Sequence, residues 1–344
     1  SIVYTRWGRD DCPANSQTVY SGYAGGSLYD HTGAASDYLC LPPDPEWGLH
    51  TESEDNSRAL VYGAEYQFDS LTDSRKSLHD QDVPCAVCRV KDRSSVIQIP
   101  ARKTCYAGWN KEYTGYLMAG AHGHKAASQF VCLDENSVGI GGTQVNNNGK
   151  LFYPAEGRCG SLLCPPYVKG RELTCVVCSY WVDISGIAGG SSYFDTGAAA
   201  DPLCLPSDPE WGLYTDTEDS IRAYVYGAEY QFHTLTDSRK KVHDYDVPCA
   251  VCRVMGRSTV ITIPARKSCY PGWNQEYTGY LMAGLTTHKA ASQYTCMDEN
   301  PIGIPGSQGN NNAYTFYPVE GRCGSLPCPP YVNGRELTCV VCSI

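Results

Sequence analysis

The stretch Gly170-Arg171-Glu172-Leu173-Thr174-Cys175-Val176-Val177-Cys178 occurs a second time, unchanged, at Gly334-Arg335-Glu336-Leu337-Thr338-Cys339-Val340-Val341-Cys342. Its end, two valines enclosed by cysteines, reads as a β-strand, and side chains three apart on a strand point to opposite faces. Outward from it, a shift of 164 positions superimposes most of one half of the chain on the other. Pro45-Glu46-Trp47-Gly48-Leu49 returns as Pro209-Glu210-Trp211-Gly212-Leu213, and Tyr62-Gly63-Ala64-Glu65-Tyr66-Gln67-Phe68 as Tyr226-Gly227-Ala228-Glu229-Tyr230-Gln231-Phe232. A repeat of this kind defines the units before any local reading. The sequence predicts two tandem units, residues 1–179 and 180–344, with an N-terminal extension, residues 1–16, that only the first unit carries.

A fainter repeat divides each unit in two. Leu39-Cys40-Leu41 is echoed by Val131-Cys132-Leu133, and Cys85-Ala86-Val87-Cys88 by Cys175-Val176-Val177-Cys178. The run Val3-Tyr4-Thr5-Arg6-Trp7 before Cys12 is echoed by Val96-Ile97-Gln98-Ile99-Pro100 before Cys105. The chain is then four related quarters, of which the third, starting at Tyr180, lacks its opening strand. Short runs of Val, Ile, Tyr and Thr are broken by 34 Gly and 21 Pro, with no long stretch of helical period. The prediction is an all-β, disulfide-rich fold with few helices.

The charge excludes some partners. With 27 Lys and Arg against 37 Asp and Glu, no basic surface is expected to follow a phosphate backbone, so nucleic acid is not a partner. Nowhere do 18 apolar residues run together, so no helical membrane insertion is expected. Nineteen cysteines imply an oxidising compartment, and a start at Ser1 without a leader reads as a mature, secreted chain. The 26 tyrosines, against 6 Phe and 6 Trp, suit half-buried sheet faces or surfaces that form interfaces.

Four Cys-x-x-Cys pairs stand at Cys85/Cys88, Cys175/Cys178, Cys249/Cys252 and Cys339/Cys342. Zinc is the first suggestion of such spacing, but Ala-Val or Val-Val between the cysteines belongs on a strand, where the two sulfurs face away from each other. Structural disulfides are expected, with no metal and no cofactor.

Longer motifs carry a resemblance. Tyr4-Thr5-Arg6-Trp7-Gly8-Arg9 with Cys12-Pro13, Tyr20-Ser21-Gly22-Tyr23-Ala24-Gly25-Gly26, Asp82-Val83-Pro84-Cys85-Ala86-Val87-Cys88-Arg89 and Gly157-Arg158-Cys159-Gly160-Ser161-Leu162-Leu163-Cys164-Pro165-Pro166 resemble the C-terminal noncollagenous domain of invertebrate short-chain, spongin-type collagens. That domain is similar to the terminal domain of type IV collagen. The resemblance covers nearly all of both units, although no Gly-X-Y tract is present and the chain cannot form a triple helix. It implies the pairs Cys12–Cys88, Cys40–Cys85, Cys105–Cys178, Cys132–Cys175 and Cys159–Cys164 in the first unit. In the second it implies Cys204–Cys249, Cys269–Cys342, Cys296–Cys339 and Cys323–Cys328. Cys252 is left over. Two arrangements are open: the extension stays on its own unit with Cys12 on Cys88, or it crosses to a second molecule and Cys12 meets that molecule's Cys252.

No nucleophile elbow, zinc-protease motif or phosphate loop is present, and no catalytic residues are expected. His79, His243, His124 and His288, which recur at the same offset, read as solvated. The acidic runs Glu52-Ser53-Glu54-Asp55 and Asp216-Thr217-Glu218-Asp219 read as solvated loops, with Ca²⁺ as the sharper alternative. Asp44, Glu46 and Trp47, with Asp208, Glu210 and Trp211, pair carboxylates with an indole in the way a glycan platform does, or else pin a loop. The relatives implied by the resemblance hold matrix chains together. The leading expectation is a secreted protein that self-assembles into extracellular matrix or a byssus-like filament of globular units, with copies of itself, matrix proteins or glycans as partners. A soluble bivalent lectin is the alternative.

Overall fold

Alternating apolar and polar residues, stapled by cysteines and interrupted by glycine, leave the chain no economical structure but short strands. The computed structural model describes residues 2–344 except 33–34, 47–59, 91–92, 94, 181–183, 198, 215–220, 234, 236, 253–256, 258, 286, 312, 322, 325–327 and 331, and it omits the side chains of Tyr180 and Ile184. The first quarter holds β1 (Ile2–Trp7), β2 (Ser16–Gly26), β3 (Tyr38–Leu41), β4 (Tyr62–Tyr66) and β5 (Pro84–Val90). The second holds β6 (Val96–Pro100), β7 (Trp109–Ala119), β8 (Val131–Asp134), β9 (Lys150–Gly157) and β10 (Thr174–Tyr180). The third has β11 (Ile184–Gly190), β12 (Leu203–Pro206), β13 (Ala223–Tyr230) and β14 (Pro248–Val251). The fourth has β15 (Val260–Pro264), β16 (Asn274–Ala283), β17 (Thr295–Asp298), β18 (Tyr314–Pro318) and β19 (Thr338–Ser343). The fold is all-β; the helical segments among the described residues are short 3₁₀ turns at Ser74–Leu78 and Ser238–Val242.

Each complete quarter is one antiparallel pattern. In the first, β1 lies on β5, β5 on β2 and β2 on β3. The second repeats this as β6, β10, β7 and β8, and the fourth as β15, β19, β16 and β17. In the third quarter β14 pairs with β11, and among the described residues no strand lies on its other side. The remaining strand of each quarter links neighbours through parallel ladders. β4 pairs with the start of β9, the end of β9 with the start of β13, and the later part of β13 with β18.

Nine disulfides close the fold: Cys12–Cys88, Cys40–Cys85, Cys105–Cys178, Cys132–Cys175, Cys159–Cys164, Cys204–Cys249, Cys269–Cys342, Cys296–Cys339 and Cys323–Cys328. None crosses from one half to the other. The halves are joined instead by packing: Leu117, Leu173 and Val177 of the first half share a core cluster with Leu205, Ala223 and Val225 of the second. Beside this shared cluster each half keeps a core of its own, around Tyr66, Phe68 and Phe152 in the first and Tyr230, Phe232 and Phe316 in the second.

Candidate functional site

The joint between the halves is a dense polar site, and it forms where two stretches of the second half, residues 208–214 and 221–225, lie across the second quarter. Its seat begins at the end of β6. Ala101 there adopts φ 57, a left-handed conformation that a residue with a Cβ takes only at some cost. The turn aims the Ala101 carbonyl outward, where it accepts a hydrogen bond from the Glu210 amide at 2.5 Å. Arg102 then projects along the groove. Its Nε donates to the Thr104 carbonyl at 3.2 Å, and its guanidinium lies 4.3 Å from the centre of the Tyr106 ring.

Onto this fixed cation the second half lays two carboxylates. Asp208 accepts from Arg102 through Oδ2 and from the Tyr106 hydroxyl through Oδ1 at 2.7 Å. Glu210 accepts from Arg102 Nη2 at 3.0 Å, from the Lys103 and Thr104 amides at 2.6 Å each, and from Thr104 Oγ1 at 2.6 Å. Partial burial opposes ionisation of Glu210, but the donors at Thr104 and Lys103, with Arg102 beyond them, outweigh it and hold its carboxyl below the ordinary range. Burial, with the bond to Asp208, pushes the Tyr106 phenol up to about 12. Trp211 stands edge-on to Tyr167 with centroids 6.2 Å apart, and Arg171 lies 5.0 Å from its ring. Gly212 passes so close to Tyr116 that a Cβ would sit 2.7 Å from the ring hydroxyl.

Further along, the segment enters the sheet. Ala223, Tyr224 and Val225 at the start of β13 pair in parallel with Ala155, Glu156 and Gly157 at the end of β9. Beside them Arg222, 1% exposed, meets Glu156 at 3.0 Å and also Glu172, both fully desolvated. Arg158 stacks over Tyr224 at 3.6 Å. A buried cation between two buried carboxylates is tolerable only because each charge has its partner.

This arrangement corrects one reading of the sequence. The carboxylates of Asp208 and Glu210 face Arg102, Thr104 and Tyr106, and Trp211 is packed against Tyr167, so these three residues form a joint and no open sugar platform. Their counterparts Asp44 and Glu46 are exposed, and Trp47 lies outside the described residues, as do both acidic runs. The four recurring histidines are half-buried and engaged rather than free in solvent. His79 and His243 accept the Phe68 and Phe232 amides through Nδ1, at 3.2 Å each, next to the two 3₁₀ turns. His124 packs between Tyr29 and Tyr153, and burial pushes its pKa down to about 4. His288 packs against Tyr193 and Tyr317. Within this chain β1 lies on its own β5 with Cys12 on Cys88, and Cys252 is the exposed cysteine outside the nine disulfides.

Arg102, Tyr106, Glu172 and Arg222 were not singled out by the sequence, although Ala101-Arg102-Lys103-Thr104-Cys105-Tyr106 returns at Ala265-Arg266-Lys267-Ser268-Cys269-Tyr270 with one conservative change. That recurrence was the available signal. The second copy forms an open groove of about 460 Å³ lined by Arg266, Tyr270, Val332, Arg335 and Leu337 among others. Among the described residues no group of three His, Cys, Asp or Glu is placed to hold a metal ion, and no helix is long and apolar enough to cross a membrane. No protein-family model matches the chain.

Proposed function

We propose that this chain is a secreted structural protein that builds extracellular matrix or a byssus-like fibre from copies of itself. One observation supports this reading above the others: the joint that holds the two halves together is made from repeated parts, and the chain contains a second groove of the same residues that stands open. A module that binds its neighbour through a repeated contact has, at its end, the means to bind another. The nine disulfides suit an oxidising, extracellular setting and a rigid unit. The glycan reading loses the residues that motivated it in the second half, since they are engaged within the chain.

Sedimentation velocity over a concentration series, with electron microscopy of the same samples, tests the proposal. Species that grow from the single chain with concentration are expected. A single chain at every concentration that stays in solution would refute it, and binding on a glycan array would then favour the lectin.

A further inference from the structure

We propose that the open groove of the second half is filled by residues 44–46 and 60–61 of a second copy, so that chains join head to tail. This rests on the self-assembly reading above and names the contact that makes it.

The groove is ready-made. Ala265 holds φ 59, the same left-handed turn as Ala101, although among the described residues nothing lies upon it as Glu210 lies upon Ala101. Arg266 donates from Nε to the Ser268 carbonyl at 3.0 Å and from Nη2 to Ser268 Oγ at 3.3 Å, and it sits 4.3 Å from the Tyr270 ring, the pose that Arg102 keeps over Tyr106. Strained backbone and an aligned cation are thus kept where no carboxylate has been supplied, and preorganisation of this kind lowers the cost of binding one. Glu336 differs from Glu172 in the way an empty seat would require: with no arm arginine beside it, it pairs with Arg239 of its own half at 2.9 Å.

The occupant is identified by what is unfinished in the first half. β13 begins at Ala223 and β9 ends at Gly157, and these two ends are paired with each other. The equivalent strands are each short at that same end. β4 begins only at Tyr62, and β18 stops at Pro318. Val225 is fully buried whereas its counterpart Val61 is 58% exposed, and Tyr224 is buried whereas Leu60 is exposed. Transposed by 164 positions, the internal ladder sets Leu60 opposite Glu320 and Val61 opposite Gly321. Asp44 and Glu46, exposed in their own chain, then reach Arg266, Tyr270 and the amides of Lys267 and Ser268 as Asp208 and Glu210 reach theirs. The sequence Asp-Pro-Glu-Trp-Gly-Leu is identical in the two arms, so the open groove meets a ligand of the kind its twin already binds. A contact between one end of a copy and the other end of the next is heterologous, so it adds copies in one direction, into an open filament or a closed ring.

Two variants separate the ends. Asp44→Lys with Glu46→Lys removes the arm and leaves the groove; Arg266→Glu removes the groove and leaves the arm. All three positions make no described contact that holds the fold between halves, and circular dichroism checks that each variant folds. Wild type is expected to form growing species, each variant alone to associate at least about ten-fold more weakly, and the two variants mixed to form a dimer that stops there. Gly63→Ala, whose new methyl group meets no described atom of its own chain within 4 Å, is expected to weaken association without changing the fold. If wild type assembles and both charge variants assemble as well as it does, the arm-and-groove contact is wrong and the self-assembly reading stands. If wild type remains a single chain, both are wrong.

Discussion

The groove at Ala101–Tyr106 and the groove at Ala265–Tyr270 are built from nearly the same residues, and they differ in what lies across them. Leu173 and Thr174 are fully buried in the first, whereas Leu337 and Thr338 are partly exposed in the second. Glu172 is desolvated against Arg222; Glu336 sits at a rim against Arg239. The side chains and their local turns are the same, so the difference belongs to the neighbour. Burial, and with it the energetic weight of a residue, is set here by whether an arm has been seated.

Four tests, with six substitutions among them, break or sharpen that comparison. The largest effect is expected at Arg222, the buried cation between Glu156 and Glu172: Arg222→Ala leaves two desolvated carboxylates facing each other and should lower stability by about 3–5 kcal/mol, read from the urea midpoint. Unchanged stability would mean that the joint is open in solution. Next comes a pair of glycines. A Cβ at Gly227 would lie 2.1 Å from the backbone of Ser161, whereas one at Gly63 meets no described atom within 4 Å. Gly227→Ala should cost roughly 3 kcal/mol and Gly63→Ala close to nothing in the isolated chain; equal costs would show that the halves are not joined as described.

The third contrast is between the two glutamates. Glu210→Gln weakens four hydrogen bonds to a charged acceptor and should cost about 1.5–3 kcal/mol at neutral pH, while Glu46→Gln should leave thermal unfolding where it was. Because the folded pKa of Glu210 is lowered, its contribution is complete above the ordinary carboxylate range and is lost as pH falls through the lower, folded value. The Gln variant should therefore converge on wild type in acid. The smallest effect is expected at His124. Its pKa falls from 6.5 to about 4 on folding, so the unfolded chain takes up the proton first and stability declines as pH drops between those values. Asp201, raised to about 6 by burial, acts in the opposite sense, so the readout is the difference between wild type and His124→Phe. Wild type should lose stability relative to His124→Phe between neutral pH and pH 4, and a difference that stays constant would mean that the His124 ring is not desolvated by folding.

Much of the fold was legible. Valines between cysteines fixed strands at Thr174–Tyr180 and Thr338–Ser343, because a β-branched run with no helical period can satisfy its backbone only in a sheet. The missing opening strand of the third quarter was visible as a gap in the repeat, and β14 has a described strand on one side only. His124 was misread because a polar sequence neighbourhood does not show that Tyr29 and Tyr153, far away in the chain, pack against it. Asp208, Glu210 and Trp211 were noticed but assigned to a sugar, since nothing local reveals that Arg102 lies opposite.

By itself the sequence determined the all-β class, the two-fold repeat and the disulfide-rich character, for these follow from composition and from short-range backbone preferences that each segment carries wherever it is placed. Only the tertiary structure decided that the repeated Asp-Pro-Glu run is part of a joint in the second half, at Asp208–Glu210, and exposed in the first, at Asp44–Glu46. Identical residues cannot encode that difference locally. It arises because the second half has a first half to lie upon, and the desolvation, ion pairing and strand pairing at the joint exist only between elements that the chain brings together from more than a hundred residues apart.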